Sequence, residues 1–238
     1  MSIIPSVRAV LHERYVLNFR MQPERMKAFI PVPWLRPAEV GGYAVASFCL
    51  LDLRNITVAP LPALAGLSSL SCAPRYAVID ESTAAGQPAV FVTERYTNSA
   101  FGAWFTSLGF SAPHPYVGAE IAQEASAVRL SVADGGKPLF QAEVAAGTTS
   151  GSIFDATSFA AFIAAGVSSY GLSIHEHRLT RVDLHKDDGR YESLRVAAVS
   201  GPVVDEWLAA GAVLDSAFRT QGGKYEWTYR GLTDVTAD

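Results

Sequence analysis

The sequence predicts an α+β protein, mostly antiparallel β, in which one large sheet, curved or closed into a barrel, carries a few inserted helices. Three observations predict it. Runs of two-residue alternation recur along the chain, as at Glu13–Arg20, where Tyr15, Leu17 and Phe19 share one face. Turn signatures, Asp134-Gly135-Gly136 and Asp187-Asp188-Gly189, separate neighbouring strand-like runs as hairpin loops do. Helical signals number about three and are scattered among the strands, whereas a parallel α/β sheet alternates one helix with each strand.

The elements follow in order. After the first strand, Pro23 suits the first turn of a short helix carrying Met26, Phe29 and Ile30, which Pro31 and Pro33 stop. Residues 42–51 are nearly all apolar, the pattern of a strand buried on both faces. Residues 58–74, with Pro60, Pro62, Gly66 and three serines, read as a long loop, a type that often serves function. Strands are expected at 75–80, 88–96, 119–132 and 138–146. Asp155 caps a helix through Phe159, Phe162 and Ile163 that ends at Gly166. Strands at 172–185 and 191–199, a helix opened by Pro202 through Val203, Trp207 and Leu208, and a strand at 224–230 complete the reading. No internal repeat or Pro/Gly/Ser linker divides the chain, so residues 1–238 are expected to form a single domain.

Composition narrows the function classes. The 238 residues hold 19 Lys and Arg against 23 Asp and Glu, a net charge of −4 with no run of like charges. Nucleic acid and anionic membrane surfaces, which attract basic patches, are therefore not expected partners. No stretch approaches the roughly 18 apolar residues of a membrane span. Arg8, His12, Glu13 and Arg14 interrupt the region where a signal peptide needs an apolar core, so a soluble, cytoplasmic protein is expected. Cys49 and Cys72 have no metal or redox spacing and read as buried thiols. No G-x-S-x-G, G-x-G-x-x-G, G-x-x-x-x-G-K or H-E-x-x-H motif is present, so nothing in the sequence supports a serine hydrolase, nucleotide or zinc-protease reading.

Phe19-Arg20-Met21-Gln22-Pro23-Glu24, followed by Ile30-Pro31, resembles the strand–turn–helix opening of the acetoacetate decarboxylase-like superfamily. Gly41-Gly42-Tyr43-Ala44-Val45-Ala46, Leu61-Pro62 to Gly66-Leu67-Ser68, Arg75-Tyr76-Ala77-Val78, Asp215-Ser216-Ala217 and Glu226-Trp227 extend the likeness over most of the chain. In these segments it is similar to an uncharacterised conserved bacterial family within that superfamily. The resemblance implies a cone-shaped, mostly antiparallel barrel or double sheet with an interior pocket. It also implies where chemistry would sit. The superfamily's Schiff-base lysine lies in a Gly-Phe-Pro-Lys-Lys run, and the matching stretch here is Gly109-Phe110-Ser111-Ala112-Pro113-His114-Pro115-Tyr116, with His114 and Pro115 in the lysine slots. None of Lys27, Lys137, Lys186 and Lys224 has apolar sequence neighbours of the kind that lower an amine's pKa. Imine chemistry is accordingly not expected.

The site residues follow from that slot and from the types around it. His114 titrates near neutrality and suits proton transfer, although a loop histidine bonded to backbone is the plainer reading. Arg20, the best surviving match to the superfamily, and Arg75 present planar forks suited to a carboxylate or enolate; each could equally pair structurally with a glutamate. Alternation through 88–96 groups Glu94 with Val90 and Val92 and turns Arg95 to the other face, which favours Glu94 as a second acid–base group with a raised pKa. Tyr116 could donate a hydrogen bond, and Trp104 and Phe110 belong to seven aromatics between Phe91 and Tyr116 that could line an apolar cavity or fill a core. His175 and His177 share a strand face, yet their setting among Arg178, Arg181 and Lys186 reads as solvated, so no metal is expected. The sequence thus points to a cofactor-independent acid–base enzyme of lyase, isomerase or cyclase type. Its expected partner is a small apolar or enolisable carbonyl compound, with a homo-oligomer left open. The alternative is a non-catalytic protein that binds an apolar small molecule.

Overall fold

The computed structural model describes residues 6–59, 67–83, 85–110, 112–175 and 177–236, without the side chains of 59, 109 and 110. In chain order the elements are β1 (Ser6–Met21), α1 (Pro23–Met26) continued by a 3₁₀ turn (Lys27–Phe29), β2 (Leu35–Pro37), β3 (Glu39–Val40), β4 (Tyr43–Ala59) and β5 (Ser69–Asp80). Next come β6 (Gln87–Val92), β7 (Tyr96–Thr97), α2 (Ala100–Phe105) with a π-helical turn (Thr106–Phe110), β8 (Gly118–Gln123), β9 (Val128–Asp134) and β10 (Lys137–Ala146). The chain closes with α3 (Ala156–Ala165), β11 (Ser168–Leu172), β12 (Arg178–Asp188), β13 (Tyr191–Ser200), α4 (Pro202–Ala209), β14 (Val213–Gln221) and β15 (Gly223–Asp234). Strand makes up 59% and helix 16%, the expected mostly antiparallel α+β class.

Local chemistry accounts for the boundaries. Pro23 and Pro202 each open a helix, where a missing N–H costs nothing. The Asp155 side chain accepts from the Ser158 N–H at 2.7 Å while Ser158 Oγ accepts from the Asp155 N–H, closing a capping box on α3. Gly201, at φ 135°, precedes α4 where a Cβ would meet the Leu139 carbonyl oxygen at 2.2 Å, so no side chain fits.

Several sequence expectations need correction. The stretch 58–74 is strand at both ends, because β4 runs to Ala59 and β5 begins at Ser69. Its serines do not mark a loop: Ser69 Oγ bonds to Ser71 Oγ at 3.0 Å and to Thr97 Oγ1 at 2.6 Å. Residues 60–66 lie outside the described ones. The run 119–132 divides into β8 and β9 at a turn closed by Glu124 N–H to Ala127 O. The run 88–96 leaves the strand at Val92, and 172–185 breaks after Leu172 into a turn that holds His177 at φ 58°. Helix α2 is an addition to the expected elements, although Phe101, Trp104, Phe105 and Leu108 follow helical spacing.

The strands join into one fifteen-stranded sheet that closes on itself. Strands β4, β5, β6, β11, β12, β15 and β1 pair in that order, and β1 pairs back onto β4. A ring with an odd number of strands cannot alternate direction throughout, and its single parallel pair is β6–β11. Strand β1 serves both halves of the molecule. Ser6–Val10 pair with β15 to close the ring, while Glu13–Arg20 pair with β14, from which the sheet continues to β13, β10, β9 and β8.

This arrangement buries both faces of the shared wall. Along β4, Ala44, Ala46, Phe48 and Leu50 enter one core, and Val45, Cys49, Leu51 and Leu53 enter another. The apolar run 42–51 is therefore two-faced, as its composition predicts. The first core holds Trp207 of α4 and a Phe48–Phe140 stack at 3.8 Å between ring centroids. The second lies on the ring's interior side, where α3 packs Phe159 on Phe218 at 4.2 Å. Full burial of an aromatic side chain contributes roughly 2–3 kcal/mol in each case.

Candidate functional site

The ring interior is not filled. A cavity of about 180 Å³ is lined from β1, β4, β5, β12 and β15, and α2 lies against it. Leu51, Leu53, Ile56, Phe101, Phe105 and Trp227 form its apolar part. Arg75, Arg95, His114, Tyr96 and the hydroxyls of Ser69 and Thr97 gather in its polar part.

Each polar group has an identifiable support. Alternation along β5 sends Tyr76 and Val78 into the outer core and leaves Ser71, Ala73 and Arg75 on the cavity side. Once the chain quits β6 at Val92, alternation no longer governs it, and Arg95 turns inward with its Nη2 donating to Ser169 Oγ of β11 at 2.7 Å. Thr106, in the π-helical turn, accepts the His114 backbone N–H at 3.0 Å and donates its own hydroxyl to Gly102 O. The segment carrying the imidazole is thereby tied to the helix over the cavity.

The electrostatics are one-sided. No Asp or Glu lines the cavity among the described residues, yet two guanidiniums do. The Nε atoms of Arg75 and Arg95 are buried without a hydrogen-bond partner, a costly state for an ionic donor. Burial, then the charge of Arg75, holds Arg95 down to about 10. Burial, then the charge of Arg95, pushes His114 down to about 3, so its imidazole is neutral at physiological pH. Burial pushes the Cys72 thiol, also in the lining, up to about 12, which leaves it protonated and unreactive. An apolar chamber with uncompensated positive charge and a neutral imidazole suits an organic anion.

The structure brings His114 and Arg75 together and puts the other expected residues elsewhere. Arg20 lies off the cavity: its Nη1 donates to Asp215 Oδ1 at 2.9 Å and to the Gly151 carbonyl at 2.6 Å, and its guanidinium sits 5.3 Å from the Tyr43 ring centroid. The Asp215 side chain is 1% exposed and also accepts from Ser152, Ser216 and the Ile153 N–H, so Arg20 is the counter-ion of a buried carboxylate. Glu94 is exposed and accepts a hydrogen bond from Tyr96 Oη. Its inward placement is overturned because the strand ends two residues before it. The inward residue is Arg95, which alternation had turned the other way. Tyr116 and Trp104 are 59% and 58% exposed and stand outside the lining, where Phe101 and Phe105 of the same aromatic group take part. The Phe110 side chain lies outside the described residues.

Two further readings change. His175 and His177 sit exposed on a turn and not on a strand face. Among the described residues, His12, Glu13 and Asp52 have metal-ligand proximity, but Arg54 contacts Asp52 at 3.0 Å and Arg219 contacts Glu13 at 2.9 Å, so these carboxylates already have cationic partners. Lys186, passed over for want of apolar sequence neighbours, is a buried amine. Its Nζ donates to the Ile163 carbonyl at 2.8 Å and stands 3.7 Å from Asp188, which also receives hydrogen bonds from Tyr191 and Tyr225. Burial, then the charge of Arg14, lowers the amine to about 7, against the opposing pull of Asp188. Lys186 lines a separate hollow beside α3, not the cavity of Arg75 and Arg95. Local sequence cannot reveal such an environment, because α3, β1 and β13 create it.

No helix among the described residues is long and apolar enough to cross a membrane. No sequence family and no curated protein sequence matches the chain. Solved structures do. The chain is similar to acetoacetate decarboxylase from Legionella pneumophila, with a TM-score of 0.70 and 11% identity over 97% of this chain and 88% of that one. It is similar to an acetoacetate decarboxylase-like enzyme from Sphingomonas wittichii (TM-score 0.60, 15% identity, 98% and 93% covered). It is also similar to the enduracididine biosynthesis enzyme MppR complexed with pyruvate (TM-score 0.61, 12% identity, 99% and 92% covered). At such identities likeness speaks for architecture alone, and on that ground the ring-and-sheet arrangement of this chain is the acetoacetate decarboxylase-like fold.

Proposed function

We propose that the protein is an enzyme that performs acid–base chemistry on a small enolisable carbonyl compound, of lyase, isomerase or cyclase type, without forming an imine. The observation that carries this reading is the convergence of Arg75, Arg95 and a neutral His114 on one apolar cavity. Two guanidiniums with no acidic partner among the described residues would hold a carboxylate and stabilise the negative charge that develops on an enolate oxygen. A neutral imidazole can donate its N–H to a carbonyl oxygen and polarise it without carrying a charge itself. The apolar wall would exclude water and strengthen each of these interactions. MppR, a neighbour in fold, has been seen with pyruvate and with the condensation product of pyruvate and imidazole 4-carboxaldehyde; small carbonyl acids are thus ligands that this architecture can accommodate.

Lys186 supports a different reading, since an amine near neutrality can condense with a ketone. Its place outside the cavity of the two arginines favours the non-imine route.

The test is carbon–deuterium exchange. Pyruvate, acetoacetate and levulinate are incubated with protein in D₂O and followed by proton NMR. The wild type should accelerate loss of the α-proton signal for at least one of them, and His114→Phe and Arg95→Met should each cut that rate about 100-fold or more. Saturable binding with no exchange from any of them would favour the binding protein.

A further inference from the structure

Gly171 on β11 lies beneath the Arg95 guanidinium. A Cβ at this position would come within 3.3 Å of Arg95 Nε, 3.4 Å of its Nη2 and 3.1 Å of Ala112 Cβ. Its backbone is not among the positive-φ glycines, so the conformation admits any residue and only the space is restricted. Two residues earlier on the same strand, Ser169 Oγ accepts from Arg95 Nη2 at 2.7 Å. The period of two puts Ser169 and Gly171 on one face.

Both residues sit in the single parallel pair of the ring, Ser169 beside Val90 and Gly171 beside Val92. Val92 is also where β6 ends. The three residues that follow carry Arg95 back over the neighbouring strand, onto a site where one side chain is absent and the next offers an acceptor. We infer that Gly171 and Ser169 form a seat that positions the Arg95 guanidinium in the cavity, and so determine that the site prefers an anion to a neutral molecule of the same shape. Gly171 acts by leaving room, and Ser169 by fixing one end of the planar fork. An arginine has long rotatable reach, and a guanidinium held in one place loses less freedom when a ligand binds. Gly171 and Ser169 are positioning residues, because neither lines the cavity. The inference rests on the reading of Arg95 as the anion-binding group.

The test uses the full chain, hexanoate and its neutral counterpart hexanamide as probes, and the ¹⁵N–¹H signal of Arg95 Nε recorded without ligand and assigned by its loss in Arg95→Met. Gly171→Ala should shift the Arg95 signal and leave that of Arg75 in place. In calorimetric titrations it should weaken hexanoate at least tenfold and hexanamide less than threefold. In an Arg95→Met background the same substitution should alter either affinity less than twofold, which a general loss of structure would not reproduce. An unmoved Arg95 signal, or an equal loss of hexanoate binding in the Arg95→Met background, overturns the seat. If the wild type binds hexanoate no better than hexanamide, the anion-binding reading of the cavity fails, while the ligand-free signal still decides the seat. Should Gly171→Ala fail to fold, Ser169→Ala removes only the hydrogen bond and is judged on the same two readouts.

Discussion

Arg75 and Arg95 face one cavity with no carboxylate in its lining among the described residues, and the charge of the first lowers the proton affinity of the second. Arginines that serve only structure sit with acidic partners, as Arg20 does with Asp215 and Arg219 with Glu13. Two that repel each other in an apolar chamber burden the folded state. Replacing one should therefore stabilise the protein while it weakens anion binding, the usual relation between stability and a preorganised site. Arg95→Met is expected to raise stability to urea by about 1 kcal/mol, a size common for such relief. A fall in the urea midpoint would mean that Arg95 has a structural partner in solution.

Arg20 should behave in the opposite way. Removing its charge leaves Asp215 buried and uncompensated, and Arg20→Met should cost about 3 kcal/mol in urea unfolding, the low end for a broken buried pair because Arg20 is a quarter exposed. The fraction that remains folded should keep wild-type ligand affinity. Lost affinity at unchanged stability would return Arg20 to the site.

The imidazole of His114 is held near 3 in the folded chain, against an ordinary value of 6.5. The unfolded chain thus binds an extra proton between these values. Stability from this group is present above pH 6.5 and drains away as the pH falls towards 3. His114→Gln should flatten that part of the pH–stability curve. In turn, kcat/KM in the wild type should show no inflection near 6.5, because the imidazole of the free protein does not titrate there; such an inflection, lost in His114→Gln, would refute its neutral role.

Lys186 permits the same treatment with a different window. Its folded amine lies at about 7 and its ordinary value is 10.5, so the unfolded chain holds the extra proton between the two. Stability from this group rises with pH across that window, by at most about 1.4 kcal/mol per pH unit. The wild type should gain on Lys186→Met as the pH climbs from 7 to 10, read as the difference between their urea midpoints.

The amine also gives the sharpest test of the chemistry. With pyruvate or acetoacetate and sodium borohydride at pH 7.5, intact-mass spectrometry is expected to show no adduct while deuterium exchange proceeds. An adduct mapped by peptide digestion to Lys186 and required for turnover would replace the non-imine mechanism with an imine one.

Much of the architecture was legible in the chain because it is written in local rules. Alternation marked β1 and β15, Asp155 and Pro202 announced α3 and α4, glycine pairs announced the hairpin at Gly135-Gly136, and the apolar run 42–51 declared a strand with two buried faces. His114 and Arg75 were also visible, the one through a resemblance in its flanking residues and the other through its type and strand. What local rules could not supply was the partner of each charge. Glu94 and Arg95 exchanged places because a strand ended at Val92, where pairing with β5 and β11 gives out, an event set by neighbours distant in sequence. Arg20 proved structural because a carboxylate 195 residues away is buried against it. Lys186 lost its ordinary basicity to burial against α3 and to the charge of Arg14. Burial and Coulomb energy depend on separation in space, and only the closed ring determines which residues those separations join.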